Sequence, residues 1–167
     1  MTRDIRILNT GALLELSRRL NATSGAPVRA AMQRRIRRAA EPLRSDLQRT
    51  VRALPIRGQG RKVSGGPSPT TRPLRATIAA AIRLSVRTTG NPGARVWIDR
   101  AALPPDLRSM PKHMNSGRIR HPVFGNKRRW VNETTPPLWW ESTIRRHRPR
   151  MDREVERILR DVRQRLE

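Results

Sequence analysis

The side chains best suited to acid–base or metal chemistry are few and scattered in this sequence. Its three histidines, His113, His121 and His147, lack the His-x-x-x-His spacing that places two imidazoles on one metal ion. The carboxylates that only the tertiary fold could bring together are Asp99, Asp106 and Glu133. A two-metal nuclease needs a cluster of such groups, so this spacing does not favour an enzyme.

Sequence motifs that bind phosphate or activate a nucleophile are also missing. The chain has no Gly-x-x-x-x-Gly-Lys-Ser/Thr loop and no Gly-x-Ser-x-Gly turn. The glycines at 58, 60, 65 and 66 do not follow a predicted strand, which argues against a dinucleotide site. Without cysteine, disulfides and thiolate metal sites are excluded. We therefore predict a protein that is not an enzyme and that uses no metal or cofactor.

Positive charge is the dominant chemical property of the chain. Thirty-seven Lys and Arg against thirteen Asp and Glu give a formal net charge of +24 over 167 residues, and lysine occurs only at 62, 112 and 127. A compact monomer repels itself at this charge density, so we expect a polyanion or an acidic protein beside it. A GC-rich genome, in which Arg codons are abundant, is the alternative explanation of the arginine excess.

Basic residues concentrate in three segments: a helix at 28–54, a loop at 55–73 and the stretch 118–129. The sequence has no zinc finger, no aromatic pair of the RNA-recognition type and no clear helix-turn-helix. Contact with nucleic acid would therefore be to phosphate, non-specific and salt-sensitive. A solvated basic face, or one that docks on an acidic protein, is the open alternative. The candidates for either contact are Arg61, Lys62, Arg72, Arg118, Arg120, Arg128 and Arg129.

The stretch 118–131 combines charge with residues that favour burial. Six of its fourteen residues are basic if His121 is counted, and it holds two of the five aromatic residues of the chain. We predict an ordered loop in which His121 is a hydrogen-bonded residue held by Pro122 and not a general base. Trp139 and Trp140 are adjacent, so we expect that one helix cannot point both at a single core, and tryptophan is favoured at interfaces. The candidates for loop anchoring or a subunit interface are His121, Phe124, Trp130, Trp139 and Trp140.

Periodicity predicts helices at both ends of the chain. Residues 10–22 have helical spacing, and a helix restarting at Pro27 runs to Leu54 with apolar residues three and four apart. Pro42 should kink this helix or split it near Ala40. The last helix covers 138–166 after a Thr-Thr-Pro-Pro start, with Pro149 as a kink.

A small β layer is predicted between the helical ends. A short helix around 74–81 precedes alternating strands at 82–87 and 94–99, joined by Gly-Asn-Pro-Gly. Residues 55–73 hold four prolines, four glycines and no acid, which predicts a long flexible loop. Residues 101–117 carry three prolines and a glycine, and we expect a loop with at most one helical turn. The fold class is α+β, a single domain over 1–167, with 74–133 as a small, mostly antiparallel sheet with loops.

The apolar content sets limits on assembly and location. Hydrophobic residues make up 35 % of the chain, so the core is thin and oligomerisation is a natural way to bury more surface. No apolar run approaches the roughly 18 residues of a membrane span, and the first residues lack a signal-peptide block. We expect a soluble protein made in the cytoplasm, with no membrane partner.

The C-terminal half resembles the neck proteins of long-tailed bacteriophages, the head–tail joining or tail-completion proteins of phages that infect actinobacteria. The matching features over about residues 74–166 are the terminal amphipathic helix and three motifs: Met110-Pro111-Lys112-His113-Met114, Arg120-His121-Pro122-Val123-Phe124-Gly125-Asn126 and Trp130-Val131. The resemblance implies a long N-terminal helix, a small sheet and a C-terminal helix that together form a ring subunit. It supplies no catalytic residues.

The expected function is therefore structural. The resemblance implies a virion protein, assembled in the host cytoplasm as a homo-oligomeric ring of six copies in preference to twelve. Such a ring joins the DNA-filled head to the tail, contacts other neck, connector and tail proteins, and surrounds the genomic DNA. The alternative is a free-standing, sequence-non-specific DNA-binding protein of nucleoid type. A phage-encoded nuclease is a further rival, which predicts metal-dependent cleavage of plasmid.

Overall fold

The computed structural model describes residues 5–7, 18, 26–58, 73–89, 92–123 and 126–164. Its helices are α1 (Ala26–Ala53), α2 (Leu74–Ala80), α3 (Met110–Ser116) and α4 (Trp139–Arg163). Its strands are β1 (Ile5–Ile7), β2 (Arg57–Gly58), β3 (Ile82–Arg87), β4 (Gly93–Ile98), β5 (Arg118–Val123) and β6 (Asn126–Thr134). Two 3-10 turns, Arg100–Ala102 and Pro105–Leu107, precede α3. The α+β fold class predicted from the sequence is confirmed.

The two long helices form an antiparallel pair. Thr50 of α1 lies beside Thr143 at the start of α4, and Arg35 pairs with Asp161 near the end of α4. Helix α4 buries Trp139, Thr143, Met151, Val155 and Ile158, and the half-buried His147 lies between Thr143 and Met151. Successive members of this set are three or four residues apart and form one stripe on the side of α1. The predicted boundaries of both helices agree closely with the observed ones.

Proline does not divide either long helix. Pro42 lies inside α1 and Pro149 inside α4, and each helix continues across it. The predicted alternative of a split near Ala40 is therefore wrong. Ala40 and Leu43, on the two sides of Pro42, are both buried in the same core, and that packing outweighs the single backbone hydrogen bond that proline removes.

The strands form two separate three-stranded antiparallel sheets. Sheet A has the order β1-β4-β3 and sheet B the order β2-β6-β5. In sheet A the predicted hairpin is present, with Leu84 opposite Val96 and Val86 opposite Ala94. Its inner face packs on α1, and the core lies between α1, α2, α4 and sheet A.

Two segments predicted as loops are regular structure. Residues 110–116 form α3, because Pro111 occupies the first turn, where its missing N–H costs no hydrogen bond. Pro111 and Met114 are buried, which anchors this helix. Within the stretch 118–131, residues 118–123 form β5 and residues 126–131 belong to its partner strand β6, so these residues are not a structural loop.

The expectation that one helix cannot point both Trp139 and Trp140 at a single core is wrong. Both side chains are buried within the chain, at 3 % and 6 % exposure, and their rings meet edge to face with centroids 5.6 Å apart. Both occupy the first turn of α4, and the end of α3 is hydrogen-bonded to that turn. Asn115 at the end of α3 accepts a hydrogen bond from the Trp140 backbone N–H through its side-chain oxygen.

Three further predictions lie wholly or partly outside the described residues. Of the helix predicted at 10–22, only Arg18 is described, and it is helical. Of the loop predicted at 55–73, residues 59–72 are outside, whereas Arg57 and Gly58 pair with β6. The turn predicted at 90–93 is described only at Pro92 and Gly93.

Candidate polyanion-binding face

The outward face of sheet B brings three arginines and a tryptophan together. Strand pairing places Arg57 and Arg118 on either side of Thr134, in one row across three strands. Two residues further along β5, Arg120 lies opposite Asn132, and after two more residues Pro122 lies opposite Trp130. Since directly opposite residues of an antiparallel sheet share a face, Arg57, Arg118, Arg120 and Trp130 point to the same side. We call these four residues the Arg–Trp face.

Burial confirms that this side faces solvent. The three arginine side chains are exposed, and Trp130 is 49 % exposed. The residues that alternate with these along β5 and β6 point to the other side of the sheet. Of these, Ile119 is buried, and His121, Val131 and Glu133 are half-buried. The carboxylate of Glu133 is therefore on the other side of the sheet, where its Oε2 lies 3.4 Å from Nε2 of His121. Within the described strands of sheet B, no acidic residue shares the Arg–Trp face.

Arg120 is positioned by an aromatic ring. Its guanidinium carbon lies 5.0 Å from the centroid of the Trp130 ring, a distance typical of a cation–π contact. A guanidinium that stacks on an aromatic face in this way keeps N–H groups that can still donate to an anion. This arrangement reduces the number of side-chain conformations that ligand binding must fix.

A bulge in β6 extends the positive surface. Pro122 pairs with Trp130 but the next residue, Val123, pairs with Asn126, so residues 127–129 are extra on the β6 side. Arg128 and Arg129 in this bulge have exposed side chains. Bulges often re-aim side chains at the end of a sheet, and this one places two guanidiniums next to Trp130 in the chain.

The predicted contact residues are therefore partly brought together. Arg118 and Arg120 share the Arg–Trp face, and Arg128 and Arg129 adjoin it. Three other predicted contacts, Arg61, Lys62 and Arg72, and the predicted anchor Phe124 lie outside the described residues. Of the remaining anchors, His121 is on the inward side of sheet B, whereas Trp139 and Trp140 belong to the core.

Sequence reasoning misses Arg57, because a two-residue strand carries no readable periodicity. It also misses a similar arrangement on sheet A. There the guanidinium carbon of Arg95 lies 4.9 Å from the centroid of the Trp97 ring, and Arg83 is directly opposite Trp97. The alternation of Arg83, Ser85 and Arg87 with apolar residues is the signal that could have found this second outward basic face.

Among the described residues, the shortest contact between a histidine and a carboxylate joins the two long helices. Nε2 of His147 lies 2.8 Å from Oδ2 of Asp46, while Arg49 donates two hydrogen bonds to Oδ1. The neighbouring Thr143 hydroxyl donates to the backbone oxygen of Trp139 at 2.8 Å. This carboxylate is thus occupied in holding the two helices together. In the described ranges, no three His, Asp or Glu side chains are grouped so that they could hold a metal ion.

No helix in the described part of the chain is both long and apolar enough to cross a membrane. No protein-family model matches the sequence, and neither the curated proteins nor the solved structures include a significant match to it.

Proposed function

We propose that the protein is a structural subunit of an oligomeric ring in the neck of a long-tailed bacteriophage, where it joins the DNA-filled head to the tail and surrounds the DNA. The single observation that supports this best is the Arg–Trp face, which presents Arg57, Arg118 and Arg120 from one side of sheet B. The motifs at 110–114, 120–126 and 130–131 supply the resemblance to neck proteins.

The chemistry of the face suits a DNA channel. Guanidiniums bind phosphate oxygens through paired N–H groups, and phosphate contacts carry no sequence information. A channel through which any genomic sequence must pass needs contacts of this kind. On the described strands of sheet B, no acidic side chain points to the side of these arginines.

The distribution of apolar residues is compatible with a subunit that is completed by neighbours. Trp130 and Leu138 are large apolar side chains with 49 % and 50 % exposure. Exposed aromatic residues beside arginine are typical of interface hot spots. A ring of identical copies, six in preference to twelve, would cover part of this surface while other neck, connector and tail proteins contact the rest.

A free-standing, nucleoid-type DNA-binding protein is the second candidate. It is favoured by the presence of outward arginines on both sheets, Arg57, Arg118 and Arg120 on sheet B and Arg83, Arg87 and Arg95 on sheet A. A protein that coats or bridges DNA uses several such surfaces, whereas a ring needs only one toward its channel.

Two measurements distinguish the candidates. We expect purified protein to form closed rings at micromolar concentration, visible in electron micrographs and by mass photometry. We also expect a phage without this gene to produce full tailless heads beside finished free tails. A monomer or dimer that binds DNA at nanomolar strength with a steep salt slope, together with normal virions from the deletion, would exclude the neck role and support the second candidate.

A further inference from the structure

A cleft lies between α1 and the second half of α4. Its volume is about 340 Å³, which is within the size range of ligand sites. The floor includes Ala39 and Ile158, and the walls are charged. The wall residues are four arginines and two acids: Arg35, Arg38, Arg150, Arg157, Glu154 and Asp161.

Two of the four arginines are held in place by the two acids. Arg35 of α1 pairs with Asp161 of α4, and Nη1 of Arg157 lies 3.3 Å from Oε1 of Glu154. Both carboxylates of the cleft are therefore paired with an arginine. Among the described residues, Arg38 and Arg150 have no acidic partner within ion-pair distance, so the cleft carries an excess of two positive charges on opposite helices.

Such an excess is costly in a protein that already bears a net charge of +24. An excess of positive charge in a cleft makes the local electrostatic potential positive and attracts anions. The Arg35–Asp161 pair joins the two helices that form the walls, so the backbone frame of the cleft is in place before an anion enters. We propose that this cleft is a binding site for a phosphoryl group, carried either by a nucleic acid or by a free oligophosphate.

A phosphoryl group suits the cleft better than a single carboxylate. A carboxylate has two oxygens, which one guanidinium fork engages fully. A phosphoryl group offers more oxygens around a tetrahedral centre, so Arg38 on α1 and Arg150 on α4 can bind it together. The site is on the helical layer, away from sheet B, and is independent of the neck function.

Pyrophosphate is the probe for this site, titrated calorimetrically into the intact protein at constant ionic strength. The test variant is Arg38→Gln with Arg150→Gln, and the matched control is Arg37→Gln with Arg148→Gln. The control removes the same charge from exposed positions on the same two helices that do not line the cleft. We expect a Kd at least about tenfold weaker in the test variant, as for removal of a charged hydrogen bond, and nearly unchanged in the control. Equal weakening in both variants, or no binding to the unaltered protein, would overturn the proposal.

A second variant separates charge from geometry. Arg38→Lys with Arg150→Lys keeps the charge of the cleft but removes the planar fork. We expect a several-fold weaker Kd with an unchanged melting temperature, and an unchanged Kd would contradict the bridging geometry. To identify the source of the phosphoryl group, bound pyrophosphate is then challenged with a short DNA duplex. Displacement of pyrophosphate from both the unaltered protein and the control variant Arg37→Gln with Arg148→Gln assigns the site to nucleic acid, and retention of pyrophosphate assigns it to a free oligophosphate.

Discussion

Asp46 and His147 lie 101 residues apart in the chain, yet Oδ2 of Asp46 and Nε2 of His147 are 2.8 Å apart between the two long helices. The same carboxylate accepts two hydrogen bonds from Arg49, and Arg146 Nη1 lies 3.6 Å from it. Asp46 is one of the few buried polar residues in the core. It is therefore a buried polar tie between two helices that also meet through Thr50 and Thr143 and through Arg35 and Asp161.

The pKa of Asp46 predicts how this tie depends on pH. Burial of the carboxyl raises its pKa, but hydrogen bonds from His147 and Arg49 and their positive charge outweigh burial and hold the pKa below its usual 3.8. A carboxyl whose folded-state pKa is depressed stabilises the fold above its unfolded-state pKa and loses that contribution as pH falls through the folded value. We therefore expect Asp46 to contribute fully at pH 6 and progressively less below about pH 4.

The substitution Asp46→Asn tests this tie. At pH 6 we expect the free energy of unfolding to fall by about 1–3 kcal/mol, because a charged acceptor of several hydrogen bonds is removed. At pH 3 the difference from the unaltered protein should shrink. The control is Glu41→Gln, which breaks only the half-exposed pair between Glu41 and Arg44. Urea denaturation at both pH values measures the effect, and a destabilisation that is the same at pH 3 and pH 6 would contradict the assignment.

Asn115 links α3 to the first turn of α4. Its Oδ1 accepts from the Trp140 backbone N–H at 3.1 Å, and its Nδ2 donates to Oε2 of Glu141 at 2.8 Å. The side chain thus satisfies a backbone donor that the helix itself leaves open. We expect Asn115→Ala to lower the thermal midpoint, with a destabilisation of about 1–2 kcal/mol typical of a removed helix cap. The control Asn132→Ala removes an exposed amide on sheet B and should change the midpoint little; equal shifts would show that Asn115 has no capping role.

Gly117 is the junction between α3 and β5, and only glycine fits it. Its φ of +82° lies in the left-handed region, and a Cβ there would be 3.0 Å from the Thr135 oxygen and 3.1 Å from Pro137 Cβ. The Thr135 N–H donates to the Gly117 oxygen at 3.1 Å, so the strain would reach the segment before α4. We expect Gly117→Ala to destabilise the fold by about 1–3 kcal/mol, measured by urea denaturation. An unchanged free energy of unfolding would contradict the close approach of Thr135 and Pro137 to Gly117.

The sequence predicts correctly those elements in which a regular spacing of apolar residues continues along the whole helix or strand. Helices α1 and α4 and the β3–β4 hairpin follow from apolar spacing that continues for many residues. Helix α3 is missed because Pro111 suggests a loop, although proline is tolerated in a first turn. Burial of both Trp139 and Trp140 is missed because it depends on tertiary packing around the first turn of α4, which periodicity along α4 cannot reveal.

The candidate site also depends on tertiary contacts that the sequence does not reveal. The basic residues of 118–129 are evident in the sequence, but their division between the two sides of a sheet depends on strand register. His121 and Arg120 are neighbours in the chain, yet one faces inward toward Glu133 and the other outward over Trp130. Arg57 joins Arg118 only because β2 pairs with β6, a contact between residues 77 positions apart.

The Arg–Trp face predicts a measurable salt dependence of DNA binding. Removing one arginine that binds a phosphate should reduce the slope of log K against log salt concentration by about 0.9 on duplex DNA. We expect Arg118→Gln with Arg120→Gln to reduce the slope by about 1.8 and to weaken binding equally for unrelated sequences. The matched control is Arg100→Gln with Arg108→Gln, two exposed arginines in the segment between sheet A and α3. Fluorescence anisotropy over a range of salt concentrations measures all three proteins. If the control lowers the slope as much as the test variant, DNA is attracted by the net charge of the chain and not by this face.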